Sequence, residues 1–172
     1  MKSLDRGTST VRRERTAPDA IRSVSGFERF DYVDVFTVSS RAAGDRTPEE
    51  WARAGIEAAT RIGGQFVWRT LLGLRLERES SPDHVGGWTI ADRGDEWIRL
   101  AASSWFMTAH LVFRIDDGQA SIATIIRYDL PIAPLIWLPV AVAHRRALPR
   151  LLHHAEKAVR RTNTSEREGV VA

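Results

Sequence analysis

Apolar and polar positions begin to alternate at Phe30. In FDYVDVFTVSS, residues 30–40, Phe30, Tyr32, Phe36 and Val38 share one parity, and Val33 and Val35 take the other. β-Branched and aromatic residues dominate the segment, which predicts a strand. Gly44-Asp45-Arg46 breaks it. Thr47-Pro48-Glu49-Glu50 then has the form of a helix start, with Thr as N-cap, Pro at the first helical position and Glu three residues after the cap. This helix presents Trp51, Ala54 or Gly55, and Ala58 or Ala59 on one side and ends at Gly63-Gly64. A second helix is predicted over about 65–74, with Phe66, Leu71 or Leu72, and Leu74 inward.

From Trp88 the period becomes two. GWTIAD, 87–92, a turn at Arg93-Gly94, and EWIRLAA, 96–102, read as a hairpin with Ile98, Leu100 and Ala102 on one face. Ser103-Ser104 interrupts the parity. MTAHLVFRI, 107–115, places Met107, Ala109, Leu111, Phe113 and Ile115 on one face and Thr108, His110 and Arg114 on the other. Asp116-Asp117-Gly118 is a turn signal, and ASIATIIRYD, 120–129, completes the hairpin with Ile122, Thr124, Ile126 and Tyr128 aligned. After Pro131 the period is helical. Leu135, Leu138, Val142, Ala147, Leu148, Leu151 and Leu152 are read as one stripe, and Pro139 and Pro149 predict a kinked or two-piece helix.

The predicted order is strand, two short helices, antiparallel meander, long terminal helix. It defines an α+β fold. A meander cannot cover its own apolar face, so a curved antiparallel sheet should wrap around the terminal helix, with the first strand pairing to a meander edge. Residues 1–26 and 162–172 lack apolar periodicity and are expected to be disordered tails. The folded domain is expected over 27–161.

Composition sharpens this picture mainly by exclusion. The chain of 172 residues has no cysteine, which removes disulfide scaffolds, thiol nucleophiles and thiolate metal sites. The 25 Lys and Arg against 22 Asp and Glu leave +3. That charge is uneven: residues 1–30 carry seven basic and four acidic side chains, residues 144–172 seven and three, and the middle is net negative. The basic character therefore belongs to the ends. The basic terminal helix can contact phosphates or anionic lipid or be a solvated face. It lacks the interleaved aromatics of single-strand binders, and no nucleic-acid partner is expected. The longest apolar stretch, PIAPLIWLPVAVA at 131–143, has three prolines and is shorter than the roughly 20 residues of a transmembrane helix. The start shows no apolar signal region, so a cytoplasmic location is expected.

The element order, the opening DYVDVF, the paired helices around Gly63-Gly64, the run TIIRYDL and the following LIWLPVAVAHRRALPRLL together resemble the START-like, or SRPBCC, superfamily. Within it, residues 30–154 are similar to a bacterial family of unknown function, and His144-Arg145 matches an His-Arg pair of that family's terminal helix. Ala133-Pro134 stands where those relatives carry Gly-Arg. The resemblance implies a helix-grip fold with a cavity between sheet and terminal helix that holds a small apolar or aromatic ligand.

Trp88, Trp105 and Trp137 lie on segments expected to border that cavity, with Leu111 and Phe113 as apolar wall. The indoles either stack on a ligand or fill the space as core. Thr124 and Tyr128 share the apolar parity and are either inward anchors or satisfied core groups. His144 is the candidate general base of a metal-independent cyclase or dehydratase, with Tyr128 as the donor that stabilises an enolate. The alternative is a helix-surface histidine paired with a carboxylate. Arg99, Arg114, Arg127 and His110 are assigned to an outer, solvated face. His153-His154 point about 100° apart on a helix and do not converge on a metal, and no phosphate loop, GxGxxG or GxSxG is present. No metal or cofactor is expected. A third reading is a non-catalytic dimerisation or interaction domain with an exposed apolar patch in PIAPLIWLPVAVA, so a homodimer is a candidate state.

Overall fold

The computed structural model describes residues 11–169 apart from 41–42, 62, 78–80 and 117; the side chains of 45 and 159–169 also lie outside the description. The chain is α+β. β2 (Tyr32–Ser39) leads through α2 (Pro48–Arg61) and α3 (Gly64–Phe66) to β3 (His84–Val85), β4 (Trp88–Arg93), β5 (Trp97–Ser103), β6 (Met107–Asp116) and β7 (Gln119–Tyr128). α4 (Ala133–Gly169) closes the chain. Among the described residues β1 (Val11–Glu14) and α1 (Asp19–Ser23) precede β2.

The sheet is antiparallel and open, in the order β1-β2-β7-β6-β5-β4-β3. Its centre is the β6–β7 hairpin, paired in register from Met107↔Tyr128 to Asp116↔Gln119. Gly118 closes it at φ +73°, a conformation that costs glycine little; Asp117 of the expected turn lies outside the described residues. β2 returns to pair with β7. α2 begins as the sequence predicts: Thr47 Oγ1 accepts from the Glu50 N–H at 3.3 Å, and the Glu50 carboxylate accepts from the Thr47 N–H at 2.8 Å.

The main core lies on the inner face of the sheet. Phe36, Ile98, Leu100, Met107, Phe113 and Ile126 meet Trp51 and Ile56 of α2 and Trp137, Leu148 and Leu152 of α4. A second, smaller core covers the outer face, where Val35, Val112, Ala123 and Ile125 pack under Ala17, Ile21, Phe27 and Phe30. This corrects two expectations. Residues 11–26 are not a structureless tail, because β1 extends the sheet beyond β2 and α1 covers its outer face. The outer polar residues are not all solvated. Arg99 donates to the Val24 carbonyl at 3.0 Å, and His110 stacks under Phe27 with ring centroids 3.9 Å apart. The His110 Nδ1–H donates to the Ser25 carbonyl at 2.7 Å, an oxygen that only accepts. Arg114 and Arg127 keep carboxylate partners, Glu96 with Asp116 and Asp129 respectively.

α4 is continuous through Pro139 and Pro149 and continues to Gly169, so the expected tail from 162 is helical backbone to that point. Its phase also differs from the single stripe read above. Ala133, Trp137, Ala141, Leu148, Leu152 and Ala155 face the core, while Leu135 is 70% and Leu138 51% exposed and Val142 also faces out. Leu135, Leu138 and Val142 belong to a second, outward stripe. Phe66, expected inward, is 68% exposed. Among the described residues no helix is long and apolar enough to cross a membrane.

Candidate functional site

Small residues on three walls create a space that the large ones do not fill. Gly55 and Ala59 of α2, Ala109 of β6, and Ala143 and Ala147 of α4 face one cavity of about 500 Å³. This lies inside the size range of small-molecule sites, roughly 300–1,000 Å³. At Gly55 a Cβ would stand 3.2 Å from the Phe113 ring, so even one added carbon would press on the wall there. Larger side chains on the wall include Leu111 and Phe113 of β6, Ile122 and Ile126 of β7, and Val140 and Leu151 of α4.

The segment after α2 forms another wall. Gly63, at φ +90°, reverses the chain, and a Cβ at Gly64 would meet the Ala59 carbonyl oxygen at 2.6 Å. The helix that follows widens into one π turn over Val67–Leu71, with the Leu72 N–H bonded to the Val67 carbonyl at 2.9 Å. Val67, Trp68, Leu71 and Leu72 from this turn line the cavity. Such turns recur at functional sites because they re-aim side chains within a helix.

Polar groups on the wall are few. Thr124 Oγ1 and His144 Nε2 are 2.9 Å apart, which ties β7 to α4 across the cavity. The Trp137 ring lies 5.5 Å from the imidazole. Burial, followed by the positive charge of Arg145, pushes the His144 pKa down to about 4, so the ring is neutral at pH 7. His144 retains some accessible surface, but it lies on the cavity wall within protein mass, and desolvation therefore dominates its titration. The Nε1–H groups of Trp88 and Trp137 are sealed in the core with no hydrogen-bond partner among the described residues. Trp88 packs edge-on against Trp68 at 5.6 Å. Among the described residues no Asp, Glu, Lys or Arg lines the cavity, and no cluster of three potential metal ligands is present.

The structure thus brings Trp88, Leu111, Phe113, Thr124, Trp137 and His144 to one cavity. Two expected members are elsewhere. Trp105 sits in the β5–β6 turn, 61% exposed and edge-on to Phe106, because the chain turns at Ser104 and sends the next side chain outward. Tyr128 is half-buried at the end of β7, off the wall. Its backbone N–H donates to Asp31 at 2.6 Å, and burial followed by the Asp31 charge raises its phenol pKa. His144 as base and Tyr128 as donor are therefore not assembled at one site. Trp68 was not read as a site residue from sequence, and the small residues of α2 and α4 were read there only as packing positions. Trp68 carried a usable signal in its position just after the Gly63-Gly64 break.

Beside the cavity lies a second buried polar group, Asp34, fully enclosed on the inner face of β2 and paired across the strands with Thr124. It accepts from Arg13 Nε at 2.8 Å, from a second Arg13 nitrogen at 2.5 Å, and from the Tyr32 hydroxyl. Arg145 Nε stands 4.0 Å away. Consecutive residues of α4 thus face different surroundings, His144 the uncharged cavity and Arg145 the buried carboxylate.

No family model matches the chain, and no curated protein or solved structure matches it.

Proposed function

We propose that the chain is a helix-grip domain of the START-like kind that binds a small apolar or aromatic molecule between its sheet and α4. The observation that carries this reading is the uncharged cavity of about 500 Å³, walled by three elements whose small residues leave it open. Trp88, Trp68 and Trp137 flank the space and do not fill it. The test is a titration with N-phenyl-1-naphthylamine, a neutral apolar dye, followed by energy transfer from these tryptophans. Saturable binding of one dye per chain is expected. Uptake that rises linearly without saturating would overturn the reading.

A second reading, self-association, is favoured by the outward stripe of α4. Leu135, Leu138 and Val142 follow the i, i+3, i+7 spacing of a helix–helix seam, and Leu130 and Ile132 extend the apolar surface beyond the helix. Light scattering that gives a dimer for the native chain and a monomer for Leu138→Glu would support it. A monomer at high concentration in both would sink it.

A further inference from the structure

The cavity's polar groups specify more about its ligand than apolarity. Among the described residues no charged side chain lines it. The cation nearest in sequence to His144, Arg145, is turned away: its Nε donates to the Ala141 carbonyl at 2.9 Å and faces Asp34. Asp34 is itself enclosed and bonded to Arg13 and Tyr32. An ionic group brought into this cavity would lose its hydration and meet no charged side chain on the wall, which disfavours it. A neutral hydrogen-bonding group meets a different surface. The indole nitrogens of Trp88 and Trp137 are sealed, which leaves the Thr124–His144 pair as the polar spot between β7 and α4.

That pair has capacity beyond its mutual bond. If the Thr124 hydroxyl donates to Nε2, the imidazole Nδ1–H and the Thr124 lone pairs remain. If Nε2–H donates to Thr124, the hydroxyl proton and an unprotonated Nδ1 remain. Either tautomer leaves one donor and at least one acceptor. We infer that the ligand is uncharged over the part that enters the cavity and is anchored by a single hydroxyl or carbonyl at the Thr124–His144 pair.

This inference rests on the cavity reading, and two matched probe pairs separate the two. N-Phenyl-1-naphthylamine and 8-anilino-1-naphthalenesulfonate differ by one sulfonate; the neutral twin is expected to bind at least about tenfold more tightly. 1-Naphthol and 1-methylnaphthalene differ by a hydroxyl at the same position. The wild type is expected to prefer the naphthol about tenfold at pH 7, and His144→Phe and Thr124→Val to reduce that preference to about twofold or less. Thr124→Val, close in shape to the native residue, carries the test should the histidine variant fail to fold. Equal affinity for the sulfonate, or a naphthol preference that survives in both variants, would overturn the inference and leave the cavity standing. Absence of saturable binding by all four probes would instead remove the cavity reading itself.

Discussion

Two neighbouring faces of α4 are buried in opposite ways. Toward Asp34 there is charge and no space: a fully enclosed carboxylate receives Arg13, Tyr32 and, at longer range, Arg145. Toward the cavity there is space and, among the described residues, no charge, with Gly55, Ala59, Ala109, Ala143 and Ala147 around a void and a neutral Thr124–His144 contact. A buried carboxylate demands fixed partners, so the first side anchors the helix against β1 and β2. An apolar void demands nothing of the kind, and the second side is free to be shaped by what enters it. The same helix therefore carries an anchoring face and, beside it, the face that the proposed function assigns to binding.

The largest way to break this contrast is Asp34→Ala. It strands the Arg13 guanidinium and the Tyr32 hydroxyl, and on the order of 3 kcal/mol of unfolding free energy should be lost in urea denaturation. A loss below about 1 kcal/mol would mean that the anchor is elsewhere. Acid is the next lever, and it acts on the cavity side. The folded pKa of His144 is about 4, below the ordinary 6.5, so the unfolded chain binds the proton more readily. Stability contributed by neutral His144 is therefore present at pH 7 and is lost as pH falls from about 6.5 toward 4. The expected loss is roughly 3 kcal/mol across that window. His110 is also held below its ordinary value, chiefly by burial, and contributes with the same sign. His144→Phe should flatten the pH profile in part; an unchanged profile would show that His144 is not the titrating group.

Smaller effects sharpen the comparison. Arg145→Met keeps the alkyl stem and removes a charge 4.0 Å from Asp34, and about 1 kcal/mol should be lost, reduced by added salt. Ala147→Phe places a ring in the void. Because it fills open space, stability should change by less than about 1 kcal/mol, whereas overpacking a closed core costs about 1–3.

Much of this was legible in the sequence, and the exceptions have physical causes. The capping box at Thr47–Glu50 and the parity of β5, β6 and β7 are local signals, and the structure keeps them. β1 was missed because Arg12 and Arg13 give it a charged pattern, yet Arg13 turns inward to meet Asp34. That encounter spans 21 residues and is invisible locally, although Asp34 at an apolar-face position of its strand was a hint. On α4, Leu135, Leu138 and Val142 were joined to Leu148 and Leu152, but these lie on different faces. Large apolar residues mark both a core stripe and an exposed one, and here Ala133, Trp137 and Ala141 take the core. Tyr128 has the right parity and lies one step beyond the wall. The family resemblance raised the expectation of a cavity, but no local signal placed its open volume, since a void depends on small residues from separate elements meeting in space.

The most direct measurement is a calorimetric titration of N-phenyl-1-naphthylamine into the wild type, Ala147→Phe and Leu138→Ser. Ala147 lines the cavity, whereas Leu138 belongs to the outward stripe, so the pair separates a cavity binder from an adhesive surface. One-site binding to the wild type and Leu138→Ser, with loss in a folded Ala147→Phe, is the result expected. Binding that survives Ala147→Phe and disappears with Leu138→Ser would contradict the account.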